Sequence, residues 1–145
     1  MSVFLGNFVR AALSGSTEVS RLVKQRIYPV IATQGTPGYP FITFKAEISG
    51  VQYAKGWTGL TRVEDRCAVA VRCMSKSYDE ALSLASKVRG VLECASGDFA
   101  GFHLDPMELT SGDCWYDEAL TAYVYELTFQ TNTQPSDVEG DDDDV

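Results

Sequence analysis

Three segments that alternate with a period of two enclose one segment with the period of an α-helix. From Phe41 onward, Ile42, Phe44, Ala46 and Ile48 share one face, and Thr43, Lys45 and Glu47 share the other. Such alternation predicts a half-buried strand. Residues 63–74 repeat it: Val63, Cys67, Val69, Val71 and Cys73 oppose Glu64, Arg66, Ala68, Ala70 and Arg72, with Asp65 out of step. Residues 119–131 supply a third strand, with Tyr123, Tyr125, Leu127 and Phe129 on one face. Between the second and third, Ala81, Leu84, Ala85, Val88, Val91 and Leu92 recur at helical spacing. Ser77 and Glu80 form a capping box, which predicts a helix over 78–94 with Glu80 reaching back to the Ser77 amide. Gly97 suits its exit.

The N-terminal part is also periodic. Phe4, Leu5, Phe8, Val9, Ala12 and Leu13 predict an amphipathic helix over 2–13. Ser14, Gly15 and Ser16 interrupt it, and Ser16 or Thr17 can cap a further turn and a half carrying Val19, Leu22 and Val23. One helix broken in its middle and two short helices both satisfy the pattern. Residues 102–109 read as a further strand and 111–118 as a turn. Residues 50–61 carry three glycines and read as a loop too long for a tight hairpin turn. The order is helix, strand, strand, helix, strand, strand. It predicts an α+β fold: a mainly antiparallel β-sheet with helices packed on one face, in a single domain over 1–131. A chain of 145 residues is long enough for one such core.

Residues 132–145 are different in kind. The net charge is −8, but six of the last nine residues are acidic, which leaves the body near −2. Asp141, Asp142, Asp143 and Asp144 lack the glycine and closing glutamate of a calcium loop. They read as a solvated acidic tail or a docking tail for a basic partner. The remaining cations form no stripe, which argues against binding nucleic acid through its phosphates. No apolar run reaches the roughly 18 residues of a membrane span. The N-terminus has no basic lead-in, so it does not read as a signal peptide, and synthesis in the cytoplasm is expected.

Catalytic patterns are missing. Cys67, Cys73, Cys94 and Cys114 include no C-x-x-C pair, and His103 is the single histidine. Buried free thiols are the simpler reading than zinc. His103, between Phe102 and Leu104, reads as structural rather than as half of a Cys/His pair. Neither a nucleophile elbow, nor a phosphate loop, nor an H-E-x-x-H motif is present. The expectation is a protein with no catalytic, metal or cofactor site.

Two stretches carry more information. Arg26, Ile27, Tyr28 and Pro29 lead into a bridge punctuated by Gly35, Pro37, Gly38 and Pro40, which stiffens the chain before the first strand. In 50–61, Tyr53, Lys55, Trp57 and Leu60 are candidate contacts to a partner, because Tyr and Trp anchor interfaces. The competing reading folds Trp57 back onto the core.

The motif Arg26-Ile27-Tyr28-Pro29, the spacer ending at Pro40, the helix S-Y-D-E-A-L-S-L-A-S-K-V-R-G-V-L and the strand A-Y-V-Y-E-L-T-F resemble one family. It is the tail-completion or tail-terminator proteins of long-tailed bacteriophages and prophages, matched here over about Val19 to Thr131. The glycine- and aromatic-rich stretch 50–61 and the acidic tail depart from its pattern. The resemblance implies a non-enzymatic virion protein of the neck. It implies a ring, commonly a hexamer, on the head-proximal end of the tail tube. The ring stops tube polymerisation and offers a surface to head-completion and connector proteins, while DNA passes through its lumen without specific binding. Another neck protein, such as a head-completion or stopper protein, shares the composition. A small ligand-binding domain or an inhibitor is a more distant alternative.

Overall fold

The computed structural model describes residues 2–31, 38–57, 59–99 and 101–135. Helix α1 (Leu5–Gly15) and helix α2 (Thr17–Val23) are separate. Ser16 divides them: its extended backbone ends α1, and its hydroxyl accepts from the Val19 amide at 3.4 Å to cap α2. The strands are β1 (Ile27–Pro29), β2 (Phe41–Gly56), β3 (Gly59–Ser75), β4 (Gly97–Phe99), β5 (Phe102–Leu104), β6 (Glu108–Asp117) and β7 (Ala122–Pro135). Helix α3 (Tyr78–Leu92) joins β3 to β4.

Among the described residues these strands make one sheet in the order β1-β2-β3-β7-β5-β4, with β6 also on β7. Every pairing is antiparallel except β1 with β2. β5 and β6 lie end to end along the edge of β7 that β3 leaves open, since they pair with its residues 133–135 and 122–130. Helices cover one face. Leu5, Val9 and Leu13 of α1, Val23 of α2, and Leu84, Val88 and Leu92 of α3 are buried against Ile42, Phe44, Val69, Val71, Leu127 and Phe129. The expected α+β architecture with helices on one face is therefore present.

Several local expectations are corrected. Residues 50–61 are not a loop: β2 and β3 remain paired to Gly56 opposite Gly59. Residues 111–117 are not a turn but the second half of β6. Their Ser-Gly-Asp composition suggests a turn, yet Gly112 is there for packing: a Cβ would lie 3.2 Å from the Tyr125 hydroxyl oxygen. Strand β7 begins at Ala122, and it continues to Pro135 with Thr131 and Thr133 buried. At α3, Ser77 caps as expected by accepting from the Glu80 amide at 3.4 Å. The Glu80 carboxylate, however, accepts from the Ser75 hydroxyl at 2.6 Å, and that hydroxyl oxygen in turn accepts from the Ser77 amide at 3.1 Å. The box is closed through a third side chain. The helix exit lies at Cys94, whose φ of 67° takes the left-handed conformation, ahead of Gly97.

The helix-free face is not uniformly wet. Phe41, Met74 and Val124 align across β2, β3 and β7, and all three are buried. Tyr28, Tyr39 and Trp115 pack around them. This second, smaller core sits at the end of the sheet near Ser75. Arg72 extends it by lying over the Trp115 ring at 5.5 Å while pairing with Glu126 at 2.8 Å.

Candidate assembly interface

Strand β3 leaves β7 at Asp65, which pairs with Thr133. Beyond that point β2 and β3 continue alone as a two-stranded arm. Val51 is the β2 partner of Asp65, and the five residues from Gln52 to Gly56 beyond it rise about 3.3 Å each, so the arm reaches roughly 17 Å past the sheet. Two irregularities lie along it, between Ile48 and Gly50 and between Gln52 and Tyr53; bulges of this kind sharpen strand twist. The Ser49 hydroxyl donates to the Arg66 carbonyl at 3.2 Å and ties the first bulge across the ribbon.

Register decides which side chains share a face. Ile48 opposes Cys67 and Val51 opposes Asp65, and both partners lie on the helix-covered face of β3. Tyr53 follows two residues after Val51, and Lys55 pairs with Leu60. The face that is core inside the domain therefore continues through Ile48 and Val51 at the base of the arm to Tyr53, Lys55 and Leu60, all of them exposed. Tyr53 is 57% exposed, Leu60 69% and Trp57, at the turn, 105%. Trp57 does not fold back onto the core. All four predicted contact residues, Tyr53, Lys55, Trp57 and Leu60, lie on this one arm. Ile48, on the face that the alternation in 41–48 predicts, and Val51, whose face depends on the first bulge, border them at the base of the arm.

The opposite end of the sheet carries a second exposed aromatic group. Tyr123 of β7 stacks edge-on against Tyr78 of α3 at 5.6 Å and Tyr116 of β6 at 5.1 Å. Tyr78 and Tyr116 are about half exposed. A groove between α3 and β6 is lined by Leu82, Arg89, Gly112, Tyr125 and Leu127. Cross-strand and helix-strand neighbours of this kind leave no local signal in the chain.

The motif residues are stitches rather than contacts. Ile27, Tyr28 and Pro29 pair in parallel with Ile42, Thr43 and Phe44. Ile27 is buried, and Tyr28 meets the Phe41 ring edge-on at 6.0 Å. Arg26 Nε donates to the Pro40 carbonyl at 2.9 Å, and its backbone carbonyl accepts from the Ile42 amide at 2.9 Å. Pro40 is buried after a cis Tyr39–Pro40 bond. The bridge is thus closed at its base by Arg26, while Gly35 and Pro37 lie outside the described residues. Replacing Arg26 by alanine strands the Pro40 carbonyl. It is expected to cost about 1–3 kcal/mol, as for other charge-assisted bonds. The midpoint of urea unfolding measures it, and a shift equivalent to less than about 0.5 kcal/mol would show that water serves that carbonyl equally well.

The remaining candidates do not converge. His103 Nδ1 lies 2.9 Å from Asp98 Oδ1 on the exposed β4–β5 edge. Cys67 and Cys73 are buried in β3, Cys94 is exposed at the end of α3, and Cys114 is half-buried in β6. Burial pushes the Cys67, Cys73 and Cys114 thiols up, and for Cys114 the Asp113 carboxylate adds to it. Thiols raised in this way stay protonated at neutral pH and are poor nucleophiles and ligands. Among the described residues, no three His, Cys, Asp or Glu side chains are grouped to hold a metal. No helix there is long and apolar enough to cross a membrane. Asp141, Asp142, Asp143 and Asp144 lie outside the described residues.

The two-stranded arm, with Tyr53, Trp57 and Leu60 exposed, is the candidate assembly surface. A chain of the virion of a native gene transfer agent particle shares the fold, with a TM-score of 0.68 at 15% identity over 87% of this chain and 91% of that one. No curated protein matches the sequence. Residues 8–134 match the family described as tail completion protein gp17. That match spans most of the chain, so the protein belongs to the tail completion protein gp17 family and is a structural component of the tail of a phage-type virion.

Proposed function

We propose that this protein assembles as a ring, six copies in the form the family resemblance implies, on the head-proximal end of a completed tail tube. The ring ends tube polymerisation and presents a joining surface to head-completion and connector proteins. DNA crosses its lumen without specific binding, which a body near charge balance suits because phosphates find no basic stripe to adhere to. The observation that carries this reading is the arm: Tyr53, Trp57 and Leu60 stand in solvent on a two-stranded ribbon. Exposed apolar side chains grouped in this way mark a surface meant for a partner. Tube subunits and neighbouring copies are the partners the reading supplies. The acidic tail, including Asp141 to Asp144, is read as a docking segment for a basic neck protein.

Electron microscopy of particles from a phage with an early stop codon in this gene tests the proposal. Overlong tubes without heads, beside filled heads, are expected. Tails of normal length that fail to join heads would move the role to the connector side of the neck, and intact virions would remove both.

A further inference from the structure

The arm and the tyrosine group at the far end of the sheet are complementary. Residues 49–63 contain Lys55 and Arg62 and no acid. Beside Tyr78 and Tyr116 in the chain stand the exposed Asp79 and Glu118, while the Asp117 carboxylate accepts from the Leu120 amide at 3.0 Å. Two cations lie on this side and both are engaged: Lys76 Nζ donates to the Leu120 and Thr121 carbonyls at 3.2 and 3.0 Å and sits 4.6 Å from the Tyr39 ring centre, and Arg89 on the groove wall pairs with Glu93 at 3.0 Å. One surface is apolar with positive charge, and the other is aromatic with a negative rim.

The two cannot meet within one molecule. The arm departs at Asp65, whereas Tyr123 pairs with Ser75. The β3–β7 ladder between them is about 33 Å long at about 3.3 Å per residue, and the arm points away from the tyrosines. We propose that the arm of one copy docks on the Tyr78–Tyr116–Tyr123 surface, and on the groove beside α3, of a second copy. The contact is head-to-tail, with different patches on the two partners, and contacts of that type close into rings when the rotation allows. Opposite charges set the register, and the aromatic side chains supply the desolvated centre. The inference rests on the ring reading above and names the surface by which one subunit holds the next.

A head-to-tail contact has a specific signature in mixtures. Let one full-length variant lose the arm contact (Trp57→Ala with Leu60→Ser) and another lose the acceptor (Tyr78→Ser with Tyr116→Ser). The mutated side chains are about half exposed or more, and circular dichroism confirms that each variant is folded. Analytical ultracentrifugation at high protein concentration is expected to show multimers for the wild type and monomers for each variant. An equimolar mixture of the two is expected to give dimers and nothing larger, because it contains one intact arm and one intact acceptor per pair. A charge exchange gives an independent reading: Lys55→Glu weakens association at least about tenfold, and adding Glu118→Lys, at an exposed position, restores it.

Multimers of the acceptor variant, or a mixture without dimers, would overturn the docking proposal and leave tube capping standing. A wild-type chain that stays monomeric at every concentration overturns self-docking too, while tail length in the stop-codon phage still judges the cap.

Discussion

Replacing Phe129 with alanine is expected to remove about 3–5 kcal/mol of stability, the usual cost of emptying a core site of this size. Phe129 is completely buried on β7, where it lies opposite Val69 of β3 and Leu109 of β6 at the centre of the main core. Deleting the ring leaves a cavity that its neighbours cannot fill, because the backbones of β3 and β7 are held by ladder hydrogen bonds on both sides. Domains of this kind have only about 5–15 kcal/mol in total. The melting temperature should fall by roughly 10 °C or more, read by circular dichroism or calorimetry. A fall below about 3 °C, equivalent to about 1 kcal/mol, would contradict the packing described for this face. Leu60→Ala makes the control: Leu60 is mostly exposed, and its loss should change stability by about 0.5 kcal/mol or less.

The reverse pattern is expected on the arm. Substituting Tyr53, Trp57 and Leu60 together by serine should leave the melting temperature within about 2 °C of wild type, since all three are exposed by more than half. Association should weaken at least about a thousandfold, because central aromatic and aliphatic anchors contribute about 2 kcal/mol or more each. In a phage carrying the variant, tails should resemble those of the stop-codon mutant. Sedimentation of the purified protein separates the outcomes. A variant that unfolds would return Trp57 to the core, and a folded variant that still assembles would clear the arm of any interface role.

The arm also shows where local reading stops. Tyr53 and Trp57 attract attention in the sequence because large aromatics beside glycines are candidates for contact. Whether Trp57 points inward or outward is undetermined there. It follows from the pairing of Gly56 with Gly59, which carries the turn beyond the reach of any helix. The same glycines make 50–61 look like a loop, although Val51, Tyr53 and Lys55 alternate as a strand does. Ser111, Gly112 and Asp113 mislead in the same way: their composition is that of a turn, and their conformation is set by β7 alongside. β1 is invisible beforehand, since three residues acquire strand character only from a parallel partner some fifteen positions later.

Features that depend on near neighbours were legible. The stripe along α3, the cap at Ser77, the break at Ser16 and the alternation in 41–48, 63–74 and 123–129 each arise from interactions within one or two turns or one strand. They determine the class of the fold and the face that is buried. The family follows from the order of these same pieces, with Arg26 to Pro29 and the α3 helix the most specific. What only the tertiary structure decided depends on register between strands distant in sequence. It brought Phe41, Met74 and Val124 together as a second core, closed the proline bridge through Arg26 and the Pro40 carbonyl, and placed Tyr78, Tyr116 and Tyr123 side by side. Sequence determined which surfaces could be sticky, because side-chain chemistry is local. Tertiary structure decided that an apolar cationic arm and an aromatic acidic surface stand at opposite ends of one rigid sheet, because a shift of one residue in strand pairing would turn every side chain to the other face.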